Sequence, residues 1–226
     1  KLSLPYANKL LIPWIIPKKE FSKYGIEAKN IIHYKAIDAA IIAKLKSIEN
    51  TKKLDKKKKR KIILVRVDEE EASYSSKKKP AVPIIKEIIK NFHDEEIIIL
   101  GRYPSQVRYL AQTFGNKIRI LDRVVDGRKL LMNTDIFLGS GGTMTAESAL
   151  LGIPTISYDA VPNIIESYLV RKKLVMRGKT PKEIVSLIRK LLNSSNSDIK
   201  NKSKKMLNSM EDPYHILVKT INSVLK

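Results

Sequence analysis

The sequence predicts an open, parallel α/β sheet with helices on both faces. Three observations carry that expectation. From residue 61 onward, short runs rich in Ile and Val alternate with segments whose apolar residues recur every three or four positions. Such alternation is the pattern of β-α-β units, which close by right-handed crossovers. The Ile/Val runs are apolar on both faces, as strands covered by helices on either side must be. Finally, the run at 136–138 leads through Gly139-Ser140-Gly141-Gly142 directly into a helical segment, a strand-turn-helix junction of the kind that such sheets place at their carboxyl edge.

Element by element, strands are predicted at 62–67, 96–100, 118–120, 136–138 and 155–158, and helices at 83–92, 105–114, 128–132 and 144–151. Asp126, directly before Gly127 and Arg128, is expected to be a helix N-cap. Polar loops follow four of the five strands, at 66–74, 122–127, 139–142 and 158–163. Ligands of open parallel sheets bind outside the carboxyl ends of the strands, so these loops are expected to frame one crevice. Behind this core, 194–205 is polar and expected to be loosely held, while 214–225 has helical apolar spacing. The chain opens on Lys1 in a strand-like segment and is expected to be a fragment.

Composition narrows the function. A length of 226 residues with 43% hydrophobic and 30% charged content is that of an ordinary globular chain. Cysteine is absent, which excludes disulfides, thiolate zinc sites and thiol nucleophiles. His33, His93 and His215 show no paired metal-ligand spacing. No signal peptide or spanning segment is visible, so a cytoplasmic protein is expected. The net charge of +21 invites a nucleic-acid reading. However, the densest block, eight basic residues in the ten at 52–61, contains no aromatic side chain that could stack on a base. It reads as a solvated loop before a strand, and the clusters at 77–79 and 171–173 as helix boundaries. Nucleic acid is therefore not expected as a partner; an anionic membrane surface or a lipid-linked acceptor stays open.

The glycine-rich turn carries the chemistry. A turn that opens a helix aims unpaired backbone N–H groups, at the positive end of the helix dipole, into one small volume. Glycines keep side chains out of that volume, so an anion such as phosphate can approach the main chain. Glu147, further along the helix, is spared for another task. The plainer alternative is a helix start with small residues for close packing, in which Glu147 merely favours the helix N-terminus. Likewise Arg66 could pair with an acidic residue of 68–71, and Tyr74 or Tyr158 could belong to the core.

Residues 126–154, DGRKLLMNTDIFLGSGGTMTAESALLGIP, resemble the nucleotide-binding segment of GT-B-fold enzymes, which include nucleotide-sugar glycosyltransferases and UDP-N-acetylglucosamine 2-epimerases. Across almost the whole chain, from LPYANKLLIPWIIPKKEFSKYGI through HYKAIDAA and RVDEEEASY to SGGTMTAESALLGIPTISY, it is similar to a largely archaeal family of uncharacterised GT-B-like proteins. The resemblance implies a Rossmann-like fold forming the C-terminal, donor-binding half of a GT-B protein. It divides the chain into 1–50, the end of a missing N-terminal domain plus linker, with 9–14 as that domain's final strand and 30–34 as the passage into the present one; 51–193, the nucleotide-sugar-binding domain; and 194–226, a linker and a helix that packs back toward the missing domain.

It also implies roles. In the lipid-linked N-acetylglucosaminyltransferase of peptidoglycan synthesis a Ser-Gly turn precedes a glutamate by seven residues and a Gly-x-Pro follows; Ser140, Glu147 and Gly152-Ile153-Pro154 repeat that spacing. By that similarity Gly141, Gly142, Thr143 and Met144 offer N–H groups to a diphosphate. Glu147 accepts from the ribose hydroxyls, the main chain near Val125 reads the uracil edge, and Arg66 meets the diphosphate charge. The epimerases have a turn one residue shorter. No Asp-x-Asp is present; no metal or cofactor is expected, a UDP-sugar being the substrate. The catalytic groups are expected mainly on the missing half, leaving this fragment inactive alone. The expected activity is glycosyl transfer, the alternatives being a 2-epimerase or a non-catalytic basic module.

Overall fold

The computed structural model describes residues 3–44, 60–67, 81–121, 126–158 and 163–225. In chain order these form β1 (Leu10–Pro13), α1 (Lys19–Ser22), β2 (Ile31–Tyr34), α2 (Ala39–Lys44), β3 (Ile62–Arg66), α3 (Ala81–Asn91), β4 (Glu96–Leu100), α4 (Pro104–Phe114), β5 (Arg119–Leu121), α5 (Gly127–Met132), β6 (Ile136–Gly139), α6 (Thr143–Leu150), β7 (Thr155–Tyr158), α7 (Ile164–Arg171), β8 (Val175–Gly178), α8 (Pro181–Leu192), α9 (Ser197–Asn208) and α10 (Pro213–Val224). The main sheet has the order β5-β4-β3-β6-β7-β8 and every pairing in it is parallel. This is the α/β, Rossmann-like open sheet that the alternating periods predict.

Alternation along each strand sorts side chains to two covering layers. From β3, Ile63 and Val65 enter a core shared with Ile84, Ile85 and Ile88 of α3 and Ile184 and Ile188 of α8. Ile62 and Leu64 face the other way, toward Leu131 of α5 and Phe137. Strands of three to five residues cannot stand alone. Burial of such side chains, at about 1.5–3 kcal/mol each, is what holds them. On this second face α6 presents Ala146, Ala149 and Leu150 to Ala39, Ala40 and Ala43 of α2, small residues that allow close approach.

The five predicted strands are present, with β5 one residue later than expected and β6 extended to Gly139. Helix α3 begins at Ala81, ahead of the expected 83; Pro83 lies in its first turn, where an N–H would have no intrahelical acceptor anyway. Asp126 caps α5 by accepting from the Lys129 N–H at 3.0 Å. Three elements of the sheet domain had not been expected. Strand β8 is Val-Met-Arg-Gly, too polar to stand out. Helix α7 follows a loop read only as polar, and of it only the end, at the helix boundary expected for 171–173, was foreseen. Helix α8 carries a signature the sequence reading passed over: Thr180-Pro181-x-Glu183, in which Thr180 caps the Glu183 N–H at 3.2 Å and Glu183 accepts from the Lys179 N–H at 2.9 Å.

Two expectations outside the sheet need correction. Residues 194–205 are not loosely held: most of them lie in α9, where a narrow stripe containing Ile199, Ser203 and Met206 packs on the α6 layer. Ser203 is buried and donates to the Leu150 carbonyl. So few apolar residues in a polar helix give a weak sequence signal. Residues 30–34 are also more than a passage, since β2 pairs in parallel with β1. Trp14 then meets Tyr168 of α7 edge-on, with ring centroids 5.6 Å apart. Helix α10 bears the expected apolar stripe, and Tyr214, Leu217, Val218 and Ile221 on it are exposed. The basic residues 52–59 and 77–79 lie outside the described residues; Lys61, at the end of the block, donates to the Leu192 carbonyl. No helix among the described residues is long and apolar enough to cross a membrane.

Candidate functional site

Counted from β3, the strand order is that of a doubly wound sheet, and its direction of growth reverses between β3 and β6. Helices leave these two strands toward opposite faces, opening a crevice at their carboxyl ends. Val65 pairs with Leu138, so Arg66 and Gly139 stand side by side at the mouth of that crevice. Two of the sequence-predicted site regions therefore meet at the switch point.

Each glycine of the turn has its own reason. A Cβ on Gly139 would lie 2.7 Å from both Phe137 Cε1 and Thr145 Oγ1, so only glycine lets β6 end against α6. Gly141 has φ +85°, a region open to glycine at little cost. Gly142 is the N-cap of α6 in extended backbone, without a capping side chain. An Asn, Asp or Ser there would satisfy the first turn of the helix. With glycine, the N–H groups of Gly141, Gly142, Thr143 and Met144 donate to no described residue. The Ser140 hydroxyl beside them also lacks a partner among the described residues. Among the described residues nothing lies within 4 Å of a Cβ built on Gly142. Replacing this residue by Val should consequently remove anion binding, by adding bulk beside the N–H groups, and lower the melting temperature by no more than the loss of a helix cap does. Sulfate titration of the folded variant checks this.

One helical turn beyond Thr143, on the same side of α6, Glu147 is half-buried and its carboxylate makes no hydrogen bond or ion pair with a described residue. Burial raises its pKa above the ordinary carboxylate range. It is a half-buried acceptor with no donor among the described residues. Met144 turns inward to the Leu131 layer, so it is its main chain that faces the crevice. Arg66 donates from Nη1 to the Gly101 carbonyl at 2.8 Å, which holds its guanidinium at the β3–β4 edge of the crevice. Tyr158 is fully buried and donates to the Arg66 carbonyl, two strands away, at 2.8 Å; it is a core residue. Val125 and Tyr74 lie outside the described residues.

Sequence reasoning missed the support behind the turn. Asn163 caps α7, its Oδ1 accepting from the Glu166 N–H at 2.7 Å, while its Nδ2 stands 3.3 Å from the Gly141 carbonyl oxygen. Glu166 is buried; its Oε1 accepts from Ser157 Oγ at 2.6 Å and from Arg177 Nε at 3.1 Å, and its Oε2 from Arg177 Nη2. The spacing Asn163-x-x-Glu166 was the available signal, a capping pattern at a strand-loop-helix junction. Another cleft, of about 640 Å³ and lined by Arg60, Lys86, Lys90, His93 and Phe114, lies at the amino ends of β3 and β4. The helix ends there are C-termini of α3 and α4, whose carbonyls disfavour anions. The phosphate-suited end of the sheet is the carboxyl one.

Comparison with known proteins agrees on the fold. The chain is 28% identical to the uncharacterised protein MJ0665 of Methanocaldococcus jannaschii, over all of this chain and 64% of that one. The UDP-GlcNAc 2-epimerase of Neisseria meningitidis bound to UDP-GlcNAc superposes with a TM-score of 0.63 at 18% identity, over 91% of this chain and 59% of that one. The spinosyn rhamnosyltransferase SpnG complexed with spinosyn aglycone does so with a TM-score of 0.58 at 15% identity, over 73% and 46%. The chain thus has the Rossmann-like fold found in sugar-nucleotide epimerases and glycosyltransferases, and it spans less than two thirds of each of these relatives. The model of one family, described as Protein of unknown function (DUF354), matches residues 1–226, and the chain belongs to that family.

Proposed function

We propose that this chain is the C-terminal, nucleotide-sugar-binding half of a GT-B-type enzyme, and that the complete enzyme is a UDP-sugar-dependent glycosyltransferase. One observation carries the reading: at the switch point a glycine-capped helix leaves its first N–H groups without an acceptor among the described residues, and a half-buried carboxylate with no partner among them follows one turn later. A diphosphate satisfies the first feature and a pair of ribose hydroxyls the second, since hydroxyls are donors to a carboxylate. Gly141 to Met144 hold the diphosphate, with Ser140 as a further donor and Arg66 at the edge of the crevice. Glu147 holds the ribose, and the main chain near Val125 meets the uracil.

In glycosyl transfer the bond from the sugar to the diphosphate breaks and negative charge grows on the leaving oxygen. Main-chain donors fixed at the crevice stabilise that charge without reorganising. The acceptor pocket and proton-transfer groups are assigned to the rest of the protein, and the exposed stripe on α10 to its docking surface. The epimerase is the second reading, favoured by the likeness to the Neisseria enzyme.

The test is calorimetry on the full-length protein with UDP, followed by product analysis with UDP-GlcNAc. Saturable uridine-dependent binding is expected, with loss of UDP-GlcNAc only when an acceptor is present. A new UDP-sugar formed without acceptor moves the assignment to the epimerase. Binding of any polyanion alike, falling steeply with salt, sinks both in favour of a basic module. Residues 1–226 alone are expected to give no turnover.

A further inference from the structure

A trans peptide fixes its C=O and N–H in opposite directions. The carbonyl of Gly141 and the N–H of Gly142 belong to one such unit, and that unit is flanked by glycine on both sides, one of them already at φ +85°. It is the peptide of the turn with the lowest steric barrier to rotation. If it turned over, the Gly142 N–H would leave the crevice and a carbonyl would face the anion in its place. Something outside the turn has to hold it.

Asn163 is so placed. Its amide orientation is set by the cap: Oδ1 accepts from the Glu166 N–H at 2.7 Å, which leaves Nδ2 toward the Gly141 carbonyl at 3.3 Å. The helix that carries Asn163 is anchored in turn, because the buried Glu166 side chain binds Ser157 of β7 and Arg177 of β8. We infer that Asn163 is a positioning residue: by latching the Gly141 carbonyl it holds the Gly142 N–H toward the anion. This rests on the reading that the turn binds the diphosphate.

The experiment uses full-length Asn163→Ser, Asn163→Asp and Asn163→Ala, titrated with UDP and with sulfate and followed by thermal melting. Ser and Asp cap a helix as well as Asn does but have no amide arm to donate to Gly141. Both should keep the wild-type melting temperature yet lose about fivefold or more in affinity, the worth of one neutral hydrogen bond. The Ser variant should lose it equally for UDP and sulfate, because both ligands use the turn. Asn163→Ala should lose the same affinity as Asn163→Ser and melt lower as well. Wild-type affinity in Asn163→Ser, or a loss confined to variants that melt lower, overturns the latch while leaving the functional reading intact. If wild type itself binds neither UDP nor sulfate, the functional reading falls and the latch with it.

Discussion

Glu147→Gln is expected to weaken UDP binding by about 10- to 150-fold, the range of a single hydrogen bond to a charged group at about 1.5–3 kcal/mol, and to leave sulfate affinity nearly unchanged. The two ligands separate the two halves of the site: sulfate touches only the turn, UDP also the carboxylate. Equal losses for both would assign Glu147 to supporting the turn, and no loss would return it to a helix-start residue. The pH profile supplies an independent check. Burial holds the Glu147 carboxyl above the ordinary carboxylate range, so wild-type UDP affinity should decline on acidification before exposed carboxylates begin to titrate. The terminal phosphate of UDP also takes up a proton at about pH 6, so Glu147→Gln, titrated with UDP over the same range, serves as the control. For stability the sign is opposite. The folded state keeps this proton to higher pH than the unfolded chain does, so this group's contribution to stability falls as pH rises from the ordinary carboxylate range through the raised folded pKa. Above it wild type carries a desolvation cost that the glutamine variant lacks. Glu147→Gln should melt higher than wild type at neutral pH, with the gap closing in acid, a stability gain at the expense of function.

The parts of the molecule legible in the sequence share one property: their signal is local. The Ile/Val runs gave the strands because a strand buried on both faces must be apolar throughout. The run from Gly139 to Glu147 gave the turn because helix start, glycine and acidic residue lie within nine positions. What escaped depends on partners distant in sequence. Arg177 in β8 reads as a surface residue until Glu166, eleven positions away, is seen to be buried beneath it. Asn163 becomes more than a cap only when Gly141, 22 positions earlier, is brought to its amide. Helix α9 was misjudged for the same reason: Ser203 is a core residue through the carbonyl of Leu150, a bond that no composition reveals. The strand order, which alone makes Arg66 and Gly139 neighbours, is likewise a property of pairing and not of any single run.

The same network sets the largest expected loss of stability. Glu166 has a 1% exposed side chain, whereas that of Arg177 is 39% exposed. Removing the arginine, as in Arg177→Met, leaves a buried carboxylate with Ser157 as its side-chain donor. Breaking a fully buried pair costs about 3–5 kcal/mol; because water reaches the arginine end, a smaller loss, about 2–3 kcal/mol, is expected here. In a chain of this size that lowers the melting temperature by roughly 4–12 °C. Glu166→Leu in the same background removes the stranded charge and replaces it with apolar volume, so the double variant should melt well above Arg177→Met alone. The recovery distinguishes a pair that stabilises from one that merely neutralises a buried charge. If the double variant also bound sulfate as wild type does, α7 would be held by packing alone, and Asn163 would need only the position of the helix, not the charges beneath it, to reach the turn.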